Sequence, residues 1–306
     1  MENSLNFDEE LFGEDTWVRP YTGEVAHGVL DVITRQKVEE EQQKQENQKN
    51  GYKYYLNNIL PLPTLLQQEY GNFIHTRYYT LLDKINDDTA TAFRFIYLCT
   101  FMDYDTGYII WKGRKIREGN LIDIFDLGKT AFTKTKNSLL EYELIYSDKD
   151  GHICINTDYS YKGDIKRDRR YKKQCTRIFN NSIQELYNNS DPREHKLIGK
   201  FILLLPYINI WHNIICLNPK EKDISKLELP NSEQMDQILN VSSRNSNKII
   251  NELFQITVGG ERAMLVIMNK YSVKMYVVNP RIYYSGTNMS DLEELIGYFK
   301  AKGGLD

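Results

Sequence analysis

Two stretches of this chain carry an acid-free row of polar residues at helical spacing. In each stretch the row lies opposite an apolar stripe, so it forms the outward face of an amphipathic helix. Lys and Arg suit guanine or phosphate, Asn suits adenine, and Ser and Thr suit either. A solvated helix face is the alternative, but it would contain Asp and Glu at their ordinary frequency. The second row is less basic, which leaves dimerisation or packing open for it. The ten residues are Lys129, Thr130, Thr133, Lys134, Asn137, Ser243, Arg244, Asn247, Lys248 and Asn251.

Basic residues also gather at two turns and in one connecting segment. The tips of two predicted hairpins carry Lys149 with His152, and Lys270 with Lys274, where a solvated tip is the alternative to a phosphate contact. A run of cations in the connector would neutralise several phosphates and make affinity fall steeply with salt, with a solvated helix as the alternative. Only Asp164 and Asp168 oppose this run, whose members are Lys162, Lys166, Arg167, Arg169, Arg170, Lys172, Lys173 and Arg177.

Residues for catalysis or metal binding follow no recognisable pattern. The sequence has no GxxxxGK[ST] phosphate loop and no GxGxxG after a strand. Its five histidines are scattered, and none pairs with Cys or a carboxylate at ligand or triad spacing. We therefore predict no enzymatic activity, no cofactor and no metal site.

Composition limits the class of protein. A length of 306 residues indicates about two domains, at ~150 residues each. The net charge of −3 is divided, because twelve acidic and five basic residues give positions 1–50 a charge of −7 and leave +4 for the rest. Four separated cysteines without CxxC spacing indicate reduced thiols in the cytoplasm. No apolar run reaches the ~20 residues that span a bilayer, and no secretory signal begins the chain.

Several residues of the first half of the chain recur in the same order in the second half. Thr76 is echoed by Thr176, Ile109 by Ile214, Leu139 by Leu253 and Asn156 by Asn279, and the separation grows steadily along the chain. This drift is typical of one duplicated unit with later loop insertions. Each unit is predicted to run helix, short strand, helix, turn, helix and hairpin, which is the order of a winged-helix module.

The predicted elements of the first unit are helices 73–85 and 88–103, strand 108–111, helices 121–125 and 130–143, and hairpin strands 144–146 and 153–156. Those of the second unit are helical stretches 176–188 and 193–208, strand 214–217, helices 232–239 and 244–256, and hairpin strands 264–268 and 274–278. An amphipathic stretch, 291–300, closes the chain. We predict an α+β fold, mainly α, with two tandem winged-helix domains. The domains are an acidic extension at 1–50, disordered or helical, winged helices at 51–163 and 176–306, and a basic connector at 164–175.

A shared signature follows each hairpin. Asn, an aromatic residue and Gly fall in register from Asn156 to Gly163 and from Asn279 to Gly286. In this pattern the chain resembles winged-helix proteins of phages and Gram-positive plasmids, in particular RepL-type replication proteins with a MarR-like winged helix. The resemblance covers roughly residues 85–165 and 193–288, and it implies binding to an origin or operator. The chain departs from the pattern of this family in two ways: the unit is duplicated, and Thr157 takes the place of Pro in the first copy.

The leading hypothesis is a sequence-specific protein for double-stranded DNA, encoded by a phage or mobile element and acting in replication initiation or transcription regulation in the bacterial cytoplasm. The rival is a protein-interaction module in which the acidic tail binds a host polymerase or replisome subunit. The sequence favours no membrane partner, and it leaves monomer and homodimer open, because tandem modules can mimic a dimer within one chain.

Overall fold

Helices and small antiparallel sheets follow one another along the chain, so the fold is α+β, as predicted. The structure is a computed structural model that describes residues 71–85, 87–163, 176–268, 273–284, 286 and 289–302. These residues belong to one compact unit that spans 62–306. The acidic extension at 1–50 lies outside the described residues.

The described residues of the first half contain short strands and four α-helices whose bounds follow the sequence pattern in part. Helix α4 carries the first polar row, and strands β4 and β5 form the first wing. The elements are β1 (Phe73–Thr76), α1 (Tyr78–Ile85), α2 (Thr89–Cys99), β2 (Ile110–Trp111), β3 (Arg114–Lys115), a 3-10 turn (Glu118–Asn120), α3 (Leu121–Phe125), α4 (Lys129–Glu141), β4 (Ile145–Ser147), β5 (Ile153–Ile155) and β6 (Ser160–Tyr161).

The second half has a similar order of helices and a long hairpin, but its described residues contain no hairpin in the place of β2–β3 and add a small hairpin after the second long helix. Helix α9 carries the second polar row, and strands β10 and β11 form the second wing. The elements are β7 (Thr176–Phe179), α5 (Asn180–Asn188), α6 (His195–Ile198), α7 (Lys200–Leu204), 3-10 turns at Leu205–Tyr207 and Ile224–Lys226, α8 (Ser232–Ile238), α9 (Ser243–Gln255), β8 (Thr257–Val258), β9 (Glu261–Arg262), β10 (Met264–Met268), β11 (Lys274–Val278) and α10 (Met289–Lys302).

Two predicted helices begin as strands instead. The prediction of helix at 73–85 and at 176–188 is wrong for the first four residues of each stretch, which form β1 and β7. These strands pair antiparallel with each other, with Thr76 opposite Thr176 and Phe73 opposite Phe179. The partner of each strand lies about a hundred residues away, and periodicity within a short window cannot reveal such a pairing.

Three other predicted elements are shorter or broken. The stretch 193–208 forms α6, α7 and a 3-10 turn, in which Pro206 supplies no amide hydrogen to continue an α-helix. The strand expected at 214–217 is reduced to single bridges from Ile214 to Val277 and from Ile215 to Ile208. Helix α2 ends at Cys99, short of the predicted 103. Helices α3, α4, α8, α9 and α10 and both wing hairpins are confirmed to within two residues at each end.

Equivalent hydrogen bonds recur in the two halves. The amide of Ile155 donates to Gly107 (2.8 Å), and the amide of Val278 donates to Asn213 (3.0 Å). The bridge from Met102 to Ile109 likewise has a counterpart from Ile208 to Ile215. These strand positions lie 106 residues apart, so the sequence alignment of Ile109 with Ile214 is one residue out of register. A slip of one residue turns a strand side chain to the opposite face of the sheet.

The Asn of the shared signature forms the same turn twice. Asn156 donates from Nδ2 to the Glu143 carbonyl (2.9 Å) and accepts at Oδ1 from the amide of Asp158 (3.0 Å). Asn279 donates to the Arg262 carbonyl (3.0 Å) and accepts from the amide of Arg281 (2.9 Å). Each Asn therefore ties the end of its wing to the chain that enters it. The Asn of the signature therefore has a structural role in both halves.

One hydrophobic core serves both halves. Helix α2 is buried along its length and packs against α4 of its own half and against α5, α6 and α7 of the other. Tyr97 of α2 and Tyr187 of α5 stack with their ring centroids 3.6 Å apart. A single cluster of buried side chains contains Leu139 of α4 and Leu253 of α9. The two predicted winged-helix domains are thus packed against each other.

Candidate nucleic-acid interface

Helix α4 presents the first polar row to solvent. Thr135 and Leu139 are fully buried on its inner face. The buried guanidinium of Arg94 in α2 donates to Thr135 Oγ1 (2.8 Å), and this bond fixes the rotation of α4 about its axis. The side chains on the opposite face are all exposed, and they are the predicted ones: Lys129, Thr130, Thr133, Lys134 and Asn137.

Helix α9 presents the second row in the same way. Ser246, Ile250 and Leu253 are its buried residues, spaced by four and three positions. Lys248 lies 3.8 Å from Glu252 in an exposed ion pair of adjacent turns, which contributes little to stability. The five predicted residues of this row, Ser243, Arg244, Asn247, Lys248 and Asn251, are all exposed.

The two rows occupy matched positions on their helices. Helix α4 begins at Lys129 and α9 begins at Ser243, and both helices are 13 residues long. Each follows a short helix that ends in a left-handed residue, Asp126 or Asn240, both with φ +46°. Asp and Asn adopt this conformation more readily than other residues with a Cβ atom. The sharp turn they make sets the angle at which each polar row is presented.

The hydroxyl of Thr133 forms a hydrogen bond within its own helix. Its Oγ1 donates to the Lys129 carbonyl one turn earlier (2.9 Å), so the hydroxyl offers only its acceptor lone pairs to a ligand. Lys136, beside the row, pairs with Glu118 at 2.6 Å. The cations of the first row that keep no such partner among the described residues are Lys129 and Lys134.

The tip of the first wing is held by one carboxylate. Asp148 Oδ1 accepts from the amides of Asp150 (2.9 Å) and His152 (2.8 Å), and its Oδ2 accepts from the Tyr108 hydroxyl (3.1 Å). The amide of His152 lowers the pKa of Asp148, while the bond to Asp148 raises the pKa of Tyr108. Lys149 is exposed at this tip, and His152 is half-buried. The wing therefore presents a lysine on a rigid turn.

The second wing and the connector are described only in part. Lys274 is exposed and lies opposite Met268, at the end of the hairpin where the chain passes from β10 to β11. Val266 and Met268 are also exposed, so this wing is more apolar than the first. Lys270 lies outside the described residues, as do six predicted connector residues: Lys166, Arg167, Arg169, Arg170, Lys172 and Lys173.

A basic hairpin adjoins the first wing, and its residues are not among those predicted from the sequence. Strands β2 and β3 pair with Trp111 opposite Arg114, and exposed cations surround the turn. The signal was present in the sequence, because Lys112-Gly113 is a turn dipeptide within a run that contains no acid. Its basic residues are Lys112, Arg114, Lys115 and Arg117.

No helix in the described part of the chain is both long enough and apolar enough to cross a membrane. A comparison with known proteins gives no match: no family model, no curated protein and no solved structure is significantly similar to this chain.

Proposed function

We propose that this protein binds double-stranded DNA in a sequence-specific manner through two tandem winged-helix modules. In this proposal α4 and α9 are the recognition helices, and their polar rows contact base edges and phosphates in the major groove. The two wings contact the backbone with Lys149 and Lys274. The two helices enter successive major grooves about one helical turn apart, roughly 34–36 Å.

The observation that carries the proposal is the match between the two outward faces. Ten positions at the same places on two helices are all exposed, all can hydrogen-bond, and none is acidic. Each helix follows a left-handed turn and precedes an antiparallel hairpin. This order supports a helix-turn-helix with a wing in each half.

The biological setting follows from the resemblance to RepL-type proteins. We propose an origin- or operator-binding role for a phage or mobile element, in replication initiation or transcription regulation. A bacterial cytoplasm suits Cys99, Cys154 and Cys216, which are buried free thiols.

The test removes two charges from each helix in turn. We expect K129Q/K134Q, and separately R244Q/K248Q, to fold like the wild type and to weaken binding to a selected duplex by at least roughly tenfold, because each lost contact to a base or phosphate costs about 1–3 kcal/mol. Binding is measured by fluorescence anisotropy at fixed salt, and the site is mapped by footprinting.

A matched control is K220Q/K222Q, which removes the same charge from an exposed loop of the second half. This variant should bind like the wild type. The proposal fails if both helix variants bind as the control does, or if non-specific DNA at moderate salt abolishes all binding. A stoichiometric host protein retained after nuclease treatment, with no duplex binding, would instead support an interaction module.

A further inference from the structure

The hairpin β2–β3 concentrates positive charge at one point of the first half. Lys112, Arg114, Lys115 and Arg117 are all exposed, and no acidic residue lies between Ile109 and Arg117. None of the four forms an ion pair with a carboxylate of the described residues. Four unneutralised cations within six residues repel one another unless an anion lies among them.

The turn of this hairpin is rigid. Lys112 has φ +49° and Gly113 has φ +75°, which fits the two-residue turn that matches the twist of paired strands. Ile110 pairs with Lys115, and Trp111 pairs with Arg114. A turn of this length fixes the register, so the backbone positions that carry the cations are set before any ligand binds.

The base of the hairpin is anchored to the first wing. Ile116 is buried, donates its amide to Ile109 (3.3 Å) and accepts from the amide of Ile153 in β5 (2.9 Å). Arg117 forms a bridge with His152 at the end of the wing. The hairpin therefore extends the wing sheet sideways.

The same base is tied to the proposed recognition helix. Glu118, the residue after Arg117, pairs with Lys136 of α4 at 2.6 Å. Because Lys136 lies at the edge of the polar row of α4, the base of the hairpin contacts both that helix and the end of the wing. Under the proposed function, this places the hairpin close to a duplex that α4 contacts.

Two of the cations are oriented by aromatic rings. The Lys115 ammonium lies 3.4 Å from the centroid of the Tyr108 ring, and the Lys112 ammonium lies 5.8 Å from that of Trp111. Such contacts orient the ammonium groups through the quadrupole of the ring. The N–H groups that point away from the ring stay available to an anion.

The second half lacks this charge. The positions 106 residues further on are Asn218, Lys220, Glu221 and Asp223. There the acidic side chains stabilise the local turn. Asp223 accepts a hydrogen bond from the amide of Ser225 (2.9 Å), and Glu221 accepts one from the amide of Asp223 (2.8 Å). The second half keeps one cation, Lys220, at these four positions, so the fold does not require four cations there, and the other three basic residues of the first half have another cause.

We propose that the β2–β3 hairpin is a clamp for the DNA backbone, binding phosphates beside the first wing. This inference rests on the proposed DNA-binding function and deepens it. Its polar side chains are only Lys and Arg, which bind phosphates as well as guanine, and the proposal assigns all of them to phosphates. The clamp therefore adds affinity without sequence preference, and it makes the footprint longer on the side of the first half.

The test is the variant K112N/R114Q in the full chain, with duplex binding measured across a series of salt concentrations. Asn removes the charge and tolerates the positive φ of Lys112, and Arg114 is exposed on the hairpin surface. Each lost phosphate contact reduces the slope of log affinity against log salt by about 0.9, so we expect a slope shallower by roughly 2. Affinity should fall by the same factor on specific and on random duplex, and the footprint should shorten on one side.

The matched control is again K220Q/K222Q, because Lys220 occupies the position equivalent to Arg114. We expect its salt slope to equal that of the wild type. The clamp is overturned if K112N/R114Q keeps the wild-type slope and footprint while the wild type binds duplex. Failure of the wild type to bind duplex overturns the clamp and the proposed function together. Loss of binding in the helix variants, combined with a wild-type slope and footprint in K112N/R114Q, overturns the clamp alone and leaves the proposed function standing.

Discussion

At the scale of single residues, the guanidinium of Arg94 stands out because it makes three hydrogen bonds to residues far away in the chain. It is buried and donates to His195 Nδ1 (3.1 Å), Thr135 Oγ1 (2.8 Å) and the Pro192 carbonyl (3.1 Å). All three acceptors are neutral, and burial lowers the pKa of Arg94, although an arginine stays charged in proteins. This residue joins α2 to α4 and to α6, and so links a polar row to the contact between the halves.

His195 makes the stability of this contact depend on pH. Burial, and then the charge of Arg94, lowers its pKa from 6.5 to about 4. The neutral ring accepts from Arg94 at Nδ1 and lies against Phe93 and Tyr187. Because the unfolded chain takes up a proton near pH 6.5 and the folded chain does not, stability is present above that pH and is lost as the pH falls towards 4.

We expect this loss to depend on the imidazole of His195. The free energy of unfolding should fall by about 1.4 kcal/mol per pH unit within this window, beyond the loss in H195Q, which cannot be protonated there. Urea unfolding of the two proteins between pH 7 and pH 4.5 measures the difference. A constant difference between them over that range would contradict this assignment.

At the scale of elements, the turns before α4 and α9 depend on left-handed residues. Asp126 and Asn240 are exposed and contribute little packing. The positive φ at each position is therefore the main constraint on which residue type fits there. A β-branched residue at positive φ is disfavoured by about 1–2 kcal/mol, whereas Gly adopts it freely.

We expect D126V to lower the free energy of unfolding by about 1–2 kcal/mol, and D126G to change it little or raise it. The control is Asp123, which is exposed within α3. There the order should reverse, because Gly costs more than Val inside a helix. Chemical denaturation of the four variants checks the order. Equal effects of Val at the two positions would show that the turn imposes no strain.

At the scale of the whole molecule, the halves are joined by a sheet and by a helix contact. Strands β1 and β7 form the centre of the sheet, with β6 beside β1 and a bridge from Ile178 to Tyr283 on the other side. Gly199, between α6 and α7, lies against the Thr89 carbonyl at the start of α2. The Thr89 hydroxyl donates to the Lys196 carbonyl beside it (2.8 Å).

We therefore expect G199A to weaken the contact between the halves. A methyl group at this position collides with the backbone of Thr89, and overpacking of this kind costs about 1–3 kcal/mol. Gly297 in α10 has no atom within 4 Å of its own added Cβ, so G297A should raise stability by about 0.5–1 kcal/mol.

Urea unfolding monitored by circular dichroism distinguishes these outcomes. Since the halves share one core, G199A should shift a single transition to lower urea. Two separate transitions in the wild type, or a G199A midpoint that does not move, would show that the halves unfold independently.

The sequence predicted the parts that depend on neighbouring residues. The apolar stripes of α4 and α9 repeat every three or four residues, so their inner and outer faces follow from local spacing. Lys149 and Lys274 lie on hairpins for the same reason, because turn residues between alternating apolar residues specify a short antiparallel pair. The function assigned to these faces stays a proposal.

Only the tertiary structure decided which distant segments meet. The pairing of Thr76 with Thr176, the hydrogen bond from Arg94 to His195 and the contact of Gly199 with Thr89 each join residues about a hundred positions apart. No local pattern encodes such contacts, because they arise when the buried faces of both halves pack into one core. The position of the basic hairpin beside the wing is of the same kind, since Ile116 reaches Ile153 only after the chain has passed through α3 and α4.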